Sequence, residues 1–99
     1  MVRNRDDILA ALRPDAQQLR RLGVTRLAVF GSAARGELQP GSDLDFLLEL
    51  DHKSFDRYMD VKEFLEAKFG RRVDLVLTSA IKPALREAIL REAVDAPLD

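Results

Sequence analysis

Three aspartates have residue types and positions that allow them to share one binding site. Asp43 and Asp45 lie two residues apart, and Asp74 lies in a separate run of apolar and β-branched residues. On a β-strand, residues two apart project from the same face, about 7 Å from each other at the backbone. If Asp74 occupies a neighbouring strand with the same facing, the three carboxylates converge. Their mutual repulsion then raises their pKa values or requires a cation.

Carboxylate oxygens without nearby His or Cys suit a hard cation. Mg²⁺ and Mn²⁺ bind through a few carboxylates and keep positions for water and substrate phosphates. As an isolated pair, Asp43 and Asp45 are more simply interpreted as solubilising residues on a half-exposed strand. Asp74 favours the metal site over that interpretation, because aspartate is a poor strand former inside an apolar run.

A second candidate site is the turn at Gly31 and Ser32, which directly follows an apolar segment. Glycine permits close backbone approach, Ser32 and the following N–H groups can contact phosphate oxygens, and Arg35 can neutralise them. The segment Gly31–Glu37 lacks the Gly-Lys-Ser/Thr ending of a Walker loop and is not a dinucleotide-binding fingerprint. Alone it indicates a simple strand-to-helix turn. With Asp43 eleven residues after Ser32, it predicts a phosphate cradle facing a metal site.

The elements that position these residues follow from hydrophobic spacing. The patterns predict a helical segment up to residue 22 that is interrupted near Pro14, strands over 25–30, 42–50 and 72–77, a helix over 54–69, and a last helix from Pro83. In the second strand, Leu47 and Glu49 share the face of the two aspartates, whereas the other face is apolar. One face of the sheet is therefore expected to form the core, and the other to carry carboxylates.

This order of elements predicts an α+β fold, with a small mixed three-stranded sheet and helices packed on one face. Residues 1–99 are expected to form one domain, because a chain of this length buries a single hydrophobic core. Two helical stripes are expected to face that core. One includes Phe55, Tyr58 and Met59, and the other consists of Leu85, Ala88, Ile89 and Ala93.

Composition excludes several classes of protein. The chain is 46% hydrophobic and 33% charged, which is typical of a soluble protein that folds. The absence of cysteine excludes disulfides, thiolate nucleophiles and cysteine–zinc sites, and the net charge of −1 argues against nucleic acid as a partner. No apolar run approaches the roughly 20 residues of a membrane span, and the first residues do not resemble a signal peptide. We therefore expect a cytoplasmic protein without membrane contact.

Three segments resemble the minimal nucleotidyltransferases of the DNA polymerase beta superfamily. They are Gly31–Glu37, Ser42–Asp45 and Val73–Val76. The spacing between the Gly-Ser pair and the Asp-x-Asp pair is a specific signal, and the resemblance extends over nearly the whole chain, including residues 82–87. It implies a polymerase-beta-like nucleotidyltransferase fold.

The resemblance also implies site residues and cofactors. The carboxylates expected to be catalytic and to hold two Mg²⁺ ions are Asp43, Asp45 and Asp74. The residues expected to bind the nucleoside triphosphate are Gly31, Ser32 and Arg35. Two cations about 4 Å apart support in-line attack of a hydroxyl on the α-phosphorus. Asp74 is then expected to be the general base, or the metal ligand nearest the nucleophile.

Members of this family are commonly antitoxins paired with HEPN-domain ribonuclease toxins, and they transfer AMP from ATP to a tyrosine of the toxin. The resemblance therefore implies a Mg²⁺-dependent protein adenylyltransferase with ATP as substrate and a HEPN toxin as partner. Because little chain follows Asp74, we expect a partner protein to complete the acceptor site. The alternative is a non-catalytic antitoxin that acts by binding and occlusion. Three converging carboxylates favour the enzyme, since without metal they repel one another.

Overall fold

The computed structural model describes residues 2–98 as five helices and a four-stranded sheet. The helices are α1 (Arg5–Leu12), α2 (Ala16–Arg21), α3 (Gly31–Ala34), α4 (Phe55–Phe69) and α5 (Pro83–Glu92). The strands are β1 (Val24–Phe30), β2 (Leu44–Leu50), β3 (Val73–Leu77) and β4 (Val94–Asp95), and 3-10 turns occupy Arg13–Asp15 and Thr78–Ala80. Over this described part of the chain, no helix has both the length and the apolar character needed to cross a membrane.

The sheet is mixed, as predicted, and its strand order is β3-β2-β1-β4. β1 pairs antiparallel with β2 and with β4, whereas β2 and β3 are parallel. A parallel pair needs a crossover connection, which α4 provides between β2 and β3. The predicted α+β class is confirmed.

Helix α4 begins and ends where local sequence signals place its boundaries. The Ser54 side chain accepts a hydrogen bond from the Arg57 backbone N–H at 3.1 Å, which satisfies a free donor at the helix start. Gly70 follows the last turn with a φ of 63°, in the left-handed region that glycine adopts most easily. The inward positions Val61 and Leu65 are fully buried, so this crossover is fixed at both ends and along its inner face.

The main core lies between one face of the sheet and helices α1, α2 and α4. It joins strand residues such as Leu27, Phe46 and Leu75 to helical residues such as Leu12 and Leu65. In it, the aromatic ring of Phe46 stacks on that of Phe69, with ring centroids 6.1 Å apart. This is the apolar face of β2 that the sequence alternation predicts.

A second, smaller core lies on the opposite face of the sheet and corrects the expectation that helices pack on one face. Ala28, Leu47 and Ile81 are buried there, and Ile89 and Leu90 of α5 pack against them. Leu47 shares the aspartate face of β2, as predicted, yet it is fully buried. Because this part of the face is apolar, its burial under α5 is favourable.

Strand β4 was not among the three predicted strands. Its two residues pair with Ala28 and Val29 of β1, and the Ala96 N–H extends the contact with a hydrogen bond of 2.8 Å to the Leu27 carbonyl. A two-residue strand is too short to show an alternating pattern. The pairing adds a fourth strand to an otherwise correctly predicted sheet.

The two predicted helical stripes are only partly correct. Ile89 and Ala93 are partly buried, whereas Leu85 is 53% exposed and Ala88 is exposed. Phe55, at the first position of α4, is 75% exposed. Helical spacing alone predicts that Phe55, Leu85 and Ala88 face the core. In the described structure nothing covers these three side chains.

Two phenylalanines, one buried in the core and one exposed, allow a test of this core. Phe46→Ala is expected to reduce the free energy of unfolding by about 3–5 kcal/mol, because it removes a fully buried ring. Phe55→Ala makes the same chemical change at an exposed site and is expected to change stability by no more than about 0.5 kcal/mol. Urea denaturation followed by circular dichroism measures both. Similar losses in the two variants would contradict the assignment of the core.

Candidate active site

Strand β2 places Asp45 between two neighbours in the sheet. Asp45 pairs with Asp74 of β3 on one side and with Phe30 of β1 on the other. Paired residues of adjacent strands lie about 5 Å apart and project from the same face. The structure therefore brings Asp45 and Asp74 together, as the sequence predicts.

Asp43 lies in the connection immediately before β2, and Arg71 anchors that connection. The Arg71 guanidinium donates to the backbone carbonyls of Gln39 and Ser42 at 3.0 and 3.1 Å. Asp43 and Asp74 are exposed, whereas Asp45 is half-buried. Two of the carboxylates thus face solvent beside a third that the fold partly shields.

The electrostatics of Asp45 show that its burial and the two neighbouring carboxylates disfavour its charged form. Its pKa is raised from 3.8 to about 6, first by burial and then by the negative charges of Asp74 and Asp43. The positive charge of Arg35 acts in the opposite direction. Without a bound cation, this face of the sheet therefore carries a negative repulsion that Arg35 offsets only in part.

The donor set suits a hard divalent cation that takes part of its coordination from elsewhere. Within residues 2–98, no three Asp, Glu, His or Cys side chains are arranged as a ready-made metal cage. Mg²⁺ commonly binds through one or two carboxylates and completes its shell with water and substrate phosphates. The aspartates of this face fit that mode better than an all-protein site.

Gly31 is in direct contact with Asp45. Its φ of +73° lies in the left-handed region, and a Cβ atom added there would lie 2.0 Å from Oδ2 of Asp45. A side chain at this position would therefore strain the backbone and displace the carboxylate. The turn after β1 and the aspartate of β2 form one continuous surface.

Ser32 and Arg35 extend this surface away from the sheet. Ser32 is half-buried in α3, and the exposed Arg35 follows the last residue of that helix. The Arg35 guanidinium donates to carboxylates of Glu37 at 3.1 Å and of Glu92 at 3.2 Å. These bonds raise the pKa of Arg35, with Glu37 contributing most, so the side chain remains a cation beside the turn.

Glu92 is a site residue that the sequence analysis missed. It is the last residue of α5, and its Oε1 accepts a hydrogen bond of 2.9 Å from the Gly31 N–H. Sixty-one residues separate the two partners, and no local motif links them. The sequence offered only a glutamate at the end of an amphipathic helix, a position that is usually exposed.

Comparison with known proteins defines the class of this domain. A family model described as nucleotidyltransferase domain matches residues 9–96. The chain therefore belongs to the nucleotidyltransferase domain family, which confirms the enzyme class predicted from its motifs. It is 38% identical over 91 residues to the protein adenylyltransferase MntA of Thermococcus cleftensis, a match that covers 90% of this chain and 92% of that relative.

Solved structures share the fold. A structure described as a minimal nucleotidyltransferase superposes with a TM-score of 0.72 at 38% identity, covering 87% of this chain and 93% of the other. A chain of a structure described as a toxin–antitoxin with AMP-PNP superposes with a TM-score of 0.65 at 16% identity, covering 84% of this chain and 73% of the other. At that lower identity the likeness concerns the fold alone.

The charge repulsion at Asp45 predicts a stabilising substitution. Asp45→Asn is expected to raise the free energy of unfolding of the metal-free chain at pH 7 by about 1 kcal/mol. The gain is smaller than the full pKa shift implies, because water screens a half-exposed carboxylate. Asp60→Asn, which removes an exposed carboxylate from α4, is the matched control and should have little effect.

The pH dependence of this gain has a definite sign. The folded state binds the Asp45 proton more tightly than the unfolded chain, so this group lowers stability as pH rises from about 4 to about 6. The advantage of Asp45→Asn should therefore be complete above pH 6 and absent below the ordinary pKa of 3.8. Thermal melting in EDTA across this range measures it. A gain that is equal at pH 3.5 and pH 7 would contradict the electrostatic cause.

The contact between Gly31 and Asp45 predicts a second pair of substitutions. Gly36 has a similar φ of +76°, but nothing lies within 4 Å of an added Cβ. Gly36→Ala is therefore expected to cost about 1 kcal/mol from backbone strain alone. Gly31→Ala should cost about 1 kcal/mol more, and Asp45→Ala in the same chain should relieve that excess. A double-mutant cycle from denaturation curves measures the coupling, and equal losses at the two glycines would contradict the contact.

Proposed function

We propose that this chain is a Mg²⁺-dependent protein adenylyltransferase that acts as an antitoxin by transferring AMP from ATP to a tyrosine of a HEPN-domain toxin. The observation that carries the proposal is the alignment of Asp45 with Asp74 on adjacent strands, with Gly31 in contact with Asp45. This arrangement joins a carboxylate face to a turn with phosphate-binding chemistry. Nucleotidyl transfer requires both at one place.

The proposed roles follow from position and charge. Gly31 and Ser32 bind the triphosphate at the turn, where the absence of a Cβ at Gly31 permits close approach to the backbone, and Arg35 supplies positive charge. Asp43, Asp45 and Asp74 are the residues that would hold Mg²⁺. Mg²⁺ would supply charge neutralisation for the triphosphate and for the departing pyrophosphate. The pKa elevation of Asp45 supports this role, because burial and the neighbouring carboxylates disfavour its charged form, which a bound cation would stabilise.

The reaction itself is a substitution at the α-phosphorus of ATP. The tyrosine oxygen forms a bond to that phosphorus, the bond to the bridging oxygen breaks, and pyrophosphate leaves. The tyrosine proton must pass to a base. Asp74 is the proposed base. Of the three aspartates, it lies on the outer strand β3, and its exposed side chain is accessible to an acceptor that arrives from solvent.

The acceptor side of the site favours a protein. Asp43 and Asp74 lie on an open surface, so the macromolecule that carries the hydroxyl can supply the remaining walls. The relative from Thermococcus cleftensis is named a protein adenylyltransferase, and one structural neighbour is described as an antitoxin in complex with a tri-AMPylated HEPN toxin from Shewanella oneidensis. The first name supports a protein as acceptor, and the second supports a HEPN toxin. We infer a cytoplasmic location, where ATP and such a toxin are both available.

The second candidate function is neutralisation of the toxin by binding alone. Asp74→Asn separates the two, because it removes the proposed base from an exposed position and should leave the fold and the binding surface intact. We expect this variant to co-purify with the HEPN toxin and yet fail to protect cells that express it. Asp60→Asn on α4 should protect like the wild type. Growth after toxin induction, with pull-down from the same cultures, provides the measurement.

Protection by Asp74→Asn equal to that by the wild type, with no modified toxin in either culture, would contradict catalysis and establish occlusion.

A further inference from the structure

Glu92 occupies the two donors that a phosphate group would use beside Asp45. Its Oε1 accepts from the Gly31 N–H at 2.9 Å and from the Arg35 guanidinium at 3.3 Å, and its Oε2 accepts from the same guanidinium at 3.2 Å. A carboxylate with two oxygens shared between a backbone amide and a guanidinium presents the same hydrogen-bonding pattern as two phosphate oxygens.

We propose that Glu92 is a built-in competitor of the nucleotide, and that its carboxylate must leave Gly31 and Arg35 before the triphosphate binds there. This inference rests on the proposed function, which assigns those same two donors to the nucleotide. The carboxylate thereby weakens nucleotide binding and protects the free site from other anions.

The structure permits this exchange without unfolding the end of the chain. Immediately after Glu92, β4 pairs with Ala28 and Val29, and the Asp95 carboxylate accepts from the Arg26 Nε at 2.8 Å. The backbone that carries Glu92 is therefore held on both sides, by α5 and by β4. The exchange that the proposal requires is therefore a rotation of the partly exposed Glu92 side chain on a fixed backbone.

Arg35 remains positioned when Glu92 leaves. Its Nε donates to Glu37 at 3.1 Å, whereas the contact with Glu92 uses Nη1. Release of Glu92 consequently frees Nη1 for a phosphate oxygen and keeps the guanidinium beside the turn. The charge balance favours the exchange, because the incoming triphosphate replaces one carboxylate with several anionic oxygens.

The test compares Glu92→Gln with Glu87→Gln. Glu92→Gln keeps the shape of the side chain but removes its charge and replaces one acceptor oxygen with an NH₂ donor, so the amide cannot accept from Arg35 through both terminal atoms as the carboxylate does. Glu87 lies on the same helix, is exposed, and pairs with Arg91 away from the site, so its substitution changes net charge equally. Isothermal titration calorimetry with Mg²⁺ and ATP measures the dissociation constant of each variant, and a melting curve confirms that each is folded.

We expect Glu92→Gln to bind Mg·ATP more tightly than the wild type, on the order of tenfold, since a competing charge-assisted hydrogen bond is removed. Glu87→Gln should bind like the wild type. Equal or weaker binding by Glu92→Gln, with clear binding by the wild type, would overturn the competition and leave the proposed function standing. An absence of binding in all three proteins would overturn both.

A measurement on the wild-type chain covers the case in which Glu92→Gln does not fold. Carbon-13 labelling of the glutamate side chains reports the Glu92 carboxylate by NMR. Saturation with Mg·ATP should shift that signal and the Gly31 amide signal, while the Glu87 carboxylate stays unchanged. A Glu92 carboxylate that keeps its shift when the site is saturated would show that it remains bound to Gly31 and Arg35, and would overturn the inference.

Discussion

The register of β2 against its two neighbours determines where the chemistry lies. Antiparallel pairing sets Phe30 beside Asp45, so that the chain turning away from β1 places Gly31 on the Asp45 carboxylate. Parallel pairing sets Asp74 on the other side of the same residue. A slip of one residue in either pairing would send Asp45 into the apolar core or separate it from its partners. The buried residues of β2, led by Phe46, prevent that slip, since the core accepts only one register.

The same arrangement makes the carboxylate cluster unfavourable in the protein without metal or nucleotide. Partial burial of Asp45 beside two other carboxylates is unfavourable without a cation, and it raises the pKa of Asp45 to about 6. The fold tolerates it because Leu44, Phe46 and Leu48 on the opposite face of β2 are fully buried. On the aspartate face, the positive charge of Arg35 offsets part of the repulsion, whereas the Glu92 carboxylate, bound to Gly31 and Arg35, adds to it. Binding of metal and nucleotide would thus relieve a repulsion that the fold maintains.

Features that depend on neighbouring residues, such as helix ends and the two faces of one strand, are predicted well from the sequence. Ser54 and Gly70 identify the ends of α4 because capping depends on neighbouring residues only. The alternation along β2 identifies its buried face, and the out-of-place Asp74 in a strand-like run indicates a partner for Asp45. These signals are enough to predict that Asp45 and Asp74 lie side by side. The chemical roles of the two residues stay predictions.

Features that depend on distant contacts could not be predicted in the same way. The two residues of β4 form a strand only because β1 offers a free edge. Leu85 follows helical spacing but remains exposed, because α5 covers a short apolar patch around Leu47 and reaches no further. The bond between Glu92 and Gly31 links residues whose separation carries no periodic signal.

The central claim, that this chain modifies a toxin covalently, is tested most directly by the intact mass of a HEPN-domain partner. The partner is incubated with ATP, Mg²⁺ and the wild-type chain, and in parallel with the variant that carries Asp43→Asn and Asp45→Asn. We expect mass increases equal to whole AMP units with the wild type, placed on tyrosine by fragmentation, and an unchanged mass with the variant. An unchanged toxin mass in both reactions, together with full neutralisation of the toxin, would contradict it.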